Sequence, residues 1–302
     1  MNEYQAKTKW KVSIVIPCTD RTIGLLRCLK AALDQSYKNI EVLLVENNSI
    51  DKKIIPKLVG EIDDERIKHF YLASCKNANV ARNYGAKKSS GVYVAYLDSD
   101  DFWLPNHISN NMNFFDANPE AVALYSGYVL NDGIKDTIVS SRPIIDETAY
   151  SFLFGHRPGV AQTSSYLLKR YALDVVEWDE TLNRNQDYDF FASIQKIYGW
   201  QYNPLITSIV VWEHGVVRKF TASAFKDFYS KHKEHMLTIE RAGYVSRVLR
   251  ALSQNSKEEY LEFYSEGLLL RQKMQFPECM YSYGYGLAKF ILWLRLLIAK
   301  IN

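Results

Sequence analysis

The sequence predicts an α/β fold, a doubly wound and mostly parallel sheet flanked by helices, followed by a helical C-terminal region. Three observations carry this expectation. Short β-branched runs bounded by polar or glycine residues recur at Val12 to Pro17, Ile40 to Val45 and Val92 to Leu97, the pattern of strands buried on both faces. Between the first two, Leu25, Leu26, Leu29, Ala32 and Leu33 repeat at helical spacing, and Ile54, Ile55, Leu58 and Ile62 do so after the second. Arg66 to Leu72 reads as a further strand and Ala78 to Lys88 as a further helix, so the chain alternates strand and helix as far as Leu97. Ligands of such sheets sit at the carboxyl ends of the strands.

Beyond Asp100 the alternation loosens. Leu104 to Ala117 reads as helix, Ala121 to Leu130 as strand, and Asn131 to Thr148 as loop or hairpin. Thr163 to Leu168 and Ser208 to Trp212 read as strands, with Asp187 to Tyr198 a helix between them. From Phe220 onward the pattern is helical, so we expect one domain over 1–218 and a helical region over 219–302.

At 302 residues, 47% apolar and 24% charged, the chain can bury a sizeable core and is not a disordered one. Lys and Arg total 37 against 34 Asp and Glu, and a net charge of +3 gives no electrostatic case for a nucleic-acid partner. Cys18, Cys28, Cys75 and Cys279 lack the paired spacing of a zinc or redox motif and read as reduced core thiols. Met1 to Lys11 holds no apolar signal stretch, so the expected location is the cytoplasm. No window reaches the ~18 consecutive apolar residues of a membrane span. The segment 285–301 is nevertheless apolar around most of a helical circumference, with Trp293 and the basic Lys289, Arg295 and Lys300. Two readings stay open for it: an interfacial helix at the anionic inner face of the cytoplasmic membrane, or packing against protein, including a second copy in a homo-oligomer.

The chemistry concentrates where the strand Val92 to Leu97 runs into Asp98-Ser99-Asp100-Asp101. Acids at the end of a buried strand are costly unless compensated, and a divalent cation, Mn²⁺ or Mg²⁺, compensates them while neutralising a diphosphate. The alternative is a solvated acidic turn capping the helix expected near Leu104. The first strand ends in Pro17-Cys18-Thr19-Asp20-Arg21, which is neither a dinucleotide loop nor a P-loop.

Several blocks in order resemble glycosyltransferase family 2. They are Val12 to Pro17 with Asp20-Arg21, Asp34-Gln35-Ser36-Tyr37, Val45-Glu46-Asn47-Asn48-Ser49, Ala81-Arg82-Asn83-Tyr84-Gly85, the acids 98–101, and Gln186-Asp187-Tyr188-Asp189. The resemblance covers roughly 11–220. It implies the inverting GT-A fold, with a nucleotide-binding half over 11–101 and an acceptor half over 102–218. It implies a nucleotide-sugar donor, a UDP-sugar, and a glycan or polyprenyl-linked acceptor in surface-polysaccharide synthesis. By the same resemblance Pro17, Thr19, Arg21, Glu46, Asn47, Arg82, Asp98 and Ser99 contact the donor, and Asp100, Asp98 and His214 hold the metal. Asp187 is the base that takes a proton from the acceptor. Glu46-Asn47 departs from the family's pair of aspartates, and Gln186 stands where Glu is usual. Asn47-Asn48-Ser49 also reads as a turn and helix cap, Arg82 as a salt-bridge partner of the acids, and Trp103, Trp178 and Trp212 as either sugar-stacking or core aromatics. Asp189 points about 200° from Asp187 on a helix and reads as a first-turn charge. Two rivals remain, a sugar-phosphate nucleotidyltransferase and a catalytically silent carbohydrate-binding protein.

Overall fold

A computed structural model describes residues 9–19, 22–74, 77–212, 221–252 and 257–273. The elements run β1 (Val12–Cys18), α1 (Thr22–Leu33), β2 (Ile40–Asn47), α2 (Ile54–Ile62), β3 (Ile67–Leu72), α3 (Ala78–Lys88), β4 (Tyr93–Tyr96) and β5 (Phe102–Trp103). They continue with α4 (His107–Ala117), β6 (Ala123–Tyr125), β7 (Tyr128–Asn131), β8 (Asp136–Val139), α5 (Ala149–Phe154), β9 (Leu167–Lys169), α6 (Gln186–Ile197) and β10 (Trp200–Tyr202). The series closes with β11 (Ser208–Val211), α7 (Ala222–His232), α8 (Thr238–Leu252) and α9 (Lys257–Lys273).

Contacts divide the chain into two compact units, Met1–Asp146 with Val160–Thr181 and Gln186–Gly215, and Glu147–Gly159 with Leu182–Asn185 and Val216–Asn302. The sequence suggests one boundary at 218. The second unit instead also takes in two short stretches from earlier in the chain.

In the first unit a seven-stranded sheet has the order β10-β6-β9-β4-β1-β2-β3. β1 pairs in parallel with β2 and with β4, and β2 with β3, so the order reverses between β1 and β4. That is a topological switch point, where the loops leaving adjacent strands part and leave a crevice. Every residue of β1 is buried. Val12, Ile14, Ile16 and Cys18 share one core with Leu25, Cys28 and Leu29 of α1. Val15 points to the other face, where Gly85 of α3 lies so close that a Cβ there would stand 2.5 Å from Val15 Cγ1. The period of two thus puts α1 and α3 on opposite faces, and each fully buried aliphatic side chain contributes about 1.5–3 kcal/mol.

This sheet is mostly parallel, as the sequence predicts, with β9 antiparallel to both β4 and β6. Several other elements differ from the sequence expectation. Thr163–Ser165 is a 3₁₀ turn and only the end of the expected strand, with Lys169, joins the sheet. The stretch 121–130 is two strands in different sheets, split at Ser126-Gly127; a Cβ on Gly127 would stand 2.5 Å from the Val139 carbonyl oxygen. A second sheet has the order β5-β11-β7-β8. Phe102 and Trp103 pair with β11 in this sheet, which delays the start of α4 to His107. The stretch 131–148 contains the β7–β8 hairpin turn, where Gly133 has φ 82° and Asp132 accepts from the Ile134 and Lys135 amides, both at 2.9 Å.

The described part of the second unit is mainly helical, with Phe154, Phe228 and Tyr244 in its core. The buried Tyr244 hydroxyl donates to the Phe225 carbonyl at 2.9 Å and accepts from Asn185 at 2.8 Å. Among the described residues, no helix is long and apolar enough to cross a membrane, and the segment 285–301 lies outside them.

Candidate active site

The strands at the switch point end at different heights. β4 pairs with β1 only over Val12 to Val15, the Leu97 amide adds one more bond to the Val15 carbonyl at 3.1 Å, and β1 continues to Cys18. Past Leu97 the chain turns sharply, closed by the Asp101 amide donating to the Asp98 carbonyl at 3.0 Å. The turn and the longer ends of β1 and β2 enclose a pocket of about 180 Å³. Pro17, Thr19, Asn47, Arg82, Asp98, Ser99 and Asp100 all line it. Seven side chains named from the sequence are therefore brought to one place. Arg21 and His214 lie outside the described residues.

Glu46 does not line the pocket. It is fully buried beneath, with one carboxylate oxygen 2.7 Å from His69 Nε2 and the other without a hydrogen-bond partner. Strand alternation is the reason: Asn47 faces the opening, so Glu46 faces inward. Asn48 adopts φ 47°, which fits the turn reading of Asn47-Asn48-Ser49. The helix-cap reading does not hold, because α2 begins after Lys53 and has no side-chain cap there.

Arg82 is buried within α3 and donates to Asp98 at 2.7 Å and to Asn79 at 3.0 Å. Its guanidinium lies over the Trp178 ring, 4.5 Å from the centroid, and its Nε is buried without a hydrogen-bond partner. The fork is therefore fixed before any ligand arrives, with its charge at the acidic turn. Three asparagines of the same region hold the chain at 178–180. Asn83 takes the Trp178 amide on its oxygen at 2.9 Å and donates to the Trp178 carbonyl at 2.9 Å; Asn79 donates to Asp179 at 2.6 Å and Asn77 to Glu180 at 2.8 Å. Trp178 and Trp103 are core residues, the first stacked on Phe190 at 4.1 Å and the second donating to the Ser164 carbonyl at 2.6 Å. Trp212 remains 55% exposed.

Asp101 corrects the capping expectation, since α4 starts beyond Asn106 with no side-chain cap. It turns inward, 2% exposed, and accepts from Ser164 Oγ at 2.6 Å, Gln162 Nε2 at 3.1 Å and the Val211 amide at 3.0 Å. Burial, then Asp98 and Asp100 alongside, push its pKa up to about 8 against the pull of these donors. The Ser164 hydroxyl also accepts from the Asp98 amide at 3.1 Å, so it ties both ends of the acidic turn together. Nothing in the sequence near Asp101 signals this: Gln162 and Ser164 lie more than 60 positions away, at the start of a stretch whose pattern reads only as a strand.

Asp187 occupies the first turn of α6, half-buried, while Asp189 in the same turn is 2% exposed. The two carboxylates thus sit in different environments, and both are favoured by the helix N-terminus. Tyr166 is fully buried in the same region, its hydroxyl without a hydrogen-bond partner. Burial raises its phenol well above the usual range, and Asp187, Asp98 and Arg82 all act on it.

As to a cation, the described residues hold no group of three or more His, Cys, Asp or Glu arranged around one point. The pocket offers two carboxylates, Asp98 and Asp100. Mg²⁺-like ions are commonly held by one or two carboxylates with substrate phosphates and waters completing the shell. The donor set therefore fits a cation bound together with a diphosphate, and does not fit a stand-alone structural metal.

The model of the family described as Glycosyl transferase family 2 matches residues 13–176. The chain belongs to this family. It is 29% identical over 193 residues to the amylovoran biosynthesis glycosyltransferase AmsB of Erwinia amylovora, covering 61% of the chain and 64% of the relative. It is 33% identical over 135 residues to the Escherichia coli UDP-Glc:alpha-D-GlcNAc-diphosphoundecaprenol beta-1,3-glucosyltransferase WfaP, covering 45% of the chain and 53% of the relative. The chain thus spans less than two thirds of the length of these family 2 relatives. The fold is GT-A. Residues 1–349 of S. aureus TarS in complex with UDP-GlcNAc match with a TM-score of 0.58 at 14% identity, covering 90% of the chain and 79% of that TarS segment. The mannosyltransferase PcManGT of Pyrobaculum calidifontis, in complex with GDP-Man and Mn²⁺, matches with 0.54 at 13%, covering 92% and 74%.

Proposed function

We propose that this family 2 chain is an inverting, metal-dependent glycosyltransferase. It moves a sugar from a nucleotide-sugar, a UDP-sugar, to a hydroxyl of a glycan or polyprenyl-linked acceptor, on the cytoplasmic side of the membrane, in surface-polysaccharide assembly. One observation carries the reading: a pocket at the switch point combines two carboxylates and a fixed guanidinium, while a third carboxylate stands apart on α6. The names of AmsB and WfaP support the pathway and acceptor class, and the UDP-GlcNAc bound to TarS supports the donor class.

In this reading Pro17, Thr19 and Asn47 hold the nucleoside, and Asp98 with Ser99 orients the donor. Asp100 and Asp98, with His214, would hold Mn²⁺ or Mg²⁺, which would supply charge neutralisation to the departing diphosphate. Arg82 adds a second fixed positive charge on the same side, where preorganised charge lowers the barrier. Asp187 accepts the proton of the acceptor hydroxyl as its oxygen bonds to the anomeric carbon. The bond from that carbon to the diphosphate oxygen breaks with its electron pair, which leaves on the nucleoside diphosphate, and the configuration inverts.

The test is incubation with a panel of nucleotide-sugars and Mn²⁺, with release of nucleoside diphosphate as the readout. Asp187→Asn should keep donor binding and lose about 10²–10⁴-fold in transfer. Asp100→Ala should weaken donor binding with Mn²⁺ present and change little in chelator. Release of pyrophosphate from a nucleoside triphosphate would instead mark a nucleotidyltransferase, and no release at all a binding protein. Normal turnover in Asp187→Asn would remove that residue as the base.

A further inference from the structure

Tyr166 touches both sides of the site in the first unit. Its backbone belongs to the side of the acidic turn: the Tyr166 carbonyl accepts from the Tyr96 amide at 3.1 Å, two residues before Asp98. Ser164, two residues before Tyr166, grips Asp101 and the Asp98 amide. The side chain lies against the other side. Its ring packs on Trp200 at 4.7 Å and on Phe190 and Phe191 of α6 at 6.3 and 6.1 Å between centroids. Phe190 and Phe191 follow Asp187 by three and four residues, so the three share one face of the helix. The phenol is thereby held on the side of α6 that carries Asp187, and Asp189 points about 200° away from that side.

The hydroxyl of Tyr166 is the unexplained group. The residue is fully buried and the hydroxyl has no hydrogen-bond partner. A buried donor left unpaired is costly, and folded proteins keep few of them. Burial holds the phenol well above its usual pKa, so it keeps its proton at neutral pH and can donate a hydrogen bond without competing as a base. After burial, Asp187 is the group that acts on it most strongly, ahead of Tyr188, Arg82 and Asp98.

We propose that Tyr166 is a positioning residue for Asp187: with donor and acceptor in place, its hydroxyl donates to one oxygen of the Asp187 carboxylate and leaves the other oxygen to face the acceptor hydroxyl. The proton of the acceptor passes to that second oxygen, and the phenol keeps its own. One residue then sets the base relative to the acidic turn, because its backbone is tied to the strand that ends there. A carboxylate oriented in advance reaches the transition state with less rearrangement. The inference rests on the reading of Asp187 as the base of a glycosyl transfer.

The test measures release of nucleoside diphosphate by the full chain from UDP-glucose, UDP-N-acetylglucosamine and GDP-mannose with Mn²⁺, water standing in for the acceptor. Wild type is compared with Tyr166→Phe, Asp187→Asn and the double variant. Tyr166→Phe removes the hydroxyl and keeps the ring. Its kcat should fall about 10–100-fold while KM for the donor stays as in wild type. Its Tm should stay equal or rise, since the unpaired buried donor is gone. The double variant should be no slower than Asp187→Asn, because Tyr166 acts through that residue. Unaltered kcat in Tyr166→Phe overturns the proposal. A raised KM at unchanged kcat also overturns it, by assigning the hydroxyl to the donor pocket, as does a loss in the double variant equal to the product of the two single losses. No release by wild type removes the enzymatic reading and this inference with it. Release by wild type that Tyr166→Phe leaves untouched removes this inference alone.

Discussion

Ser164 shows how much of this site depends on a single side chain that carries no catalytic signature. Its hydroxyl donates to Asp101 and accepts from the Asp98 amide, so one oxygen fixes both ends of the turn that presents Asp98 and Asp100. Ser164→Ala removes a donor from a buried carboxylate and should cost about 1–3 kcal/mol, seen as a lower Tm in the ligand-free protein. Donor affinity should fall with it, because the acidic turn loses its tie. An unchanged Tm would mean that Gln162 and the Val211 amide hold Asp101 without help. Arg82 is the complementary case. Its ion pair with Asp98 was legible as one of two readings of a cation near three acids, but the Trp178 ring beneath it was not, since that contact joins α3 to a residue far along the chain.

At the scale of elements, the end of the sheet away from the site is held by one buried acid. Glu41, at the start of β2, accepts from Ser13 Oγ at 2.6 Å, Lys68 Nζ at 2.6 Å, the Ser90 amide at 2.7 Å and Ser90 Oγ at 2.8 Å. It thereby joins β1, β2, β3 and the turn before β4. Burial alone would raise its pKa, but the hydrogen bonds from Lys68, Ser13 and Ser90 together hold it well below the usual carboxylate range. A depressed folded-state pKa gives stability that is present above the unfolded value, near 4.5, and lost as pH falls through the folded one. Glu41→Gln should therefore lower stability by about 1–3 kcal/mol at neutral pH. The Tm gap to wild type should narrow progressively below pH 4.5, and a gap that stays constant with pH would refute the assignment. In α3, a glycine within a motif block has a structural reason: Gly85 lets the helix close on Val15.

For the molecule as a whole, the sequence gives the segment 285–301 two readings that the described residues do not enter. A chain ending at Tyr283 should keep its release of nucleoside diphosphate and lose recovery on anionic vesicles if the segment is an interfacial helix. Recovery equal to that of the full chain would leave the packing reading. What the sequence by itself determined is local in origin. Helical and strand periodicity define the alternation to Leu97, and an apolar run ending in acids places Asp98 and Asp100 at a strand end. Ordered motif blocks identify the family. What the tertiary structure decided depends on partners distant in the chain. Asp101 faces inward because its donors come from residues 61, 63 and 110 positions away. β9 enters the sheet antiparallel between β4 and β6, and 147–159 joins the second unit, by pairings that no local period encodes. A carboxylate's sequence shows that it must be compensated; only the folded chain shows whether a ligand or a neighbouring hydroxyl compensates it.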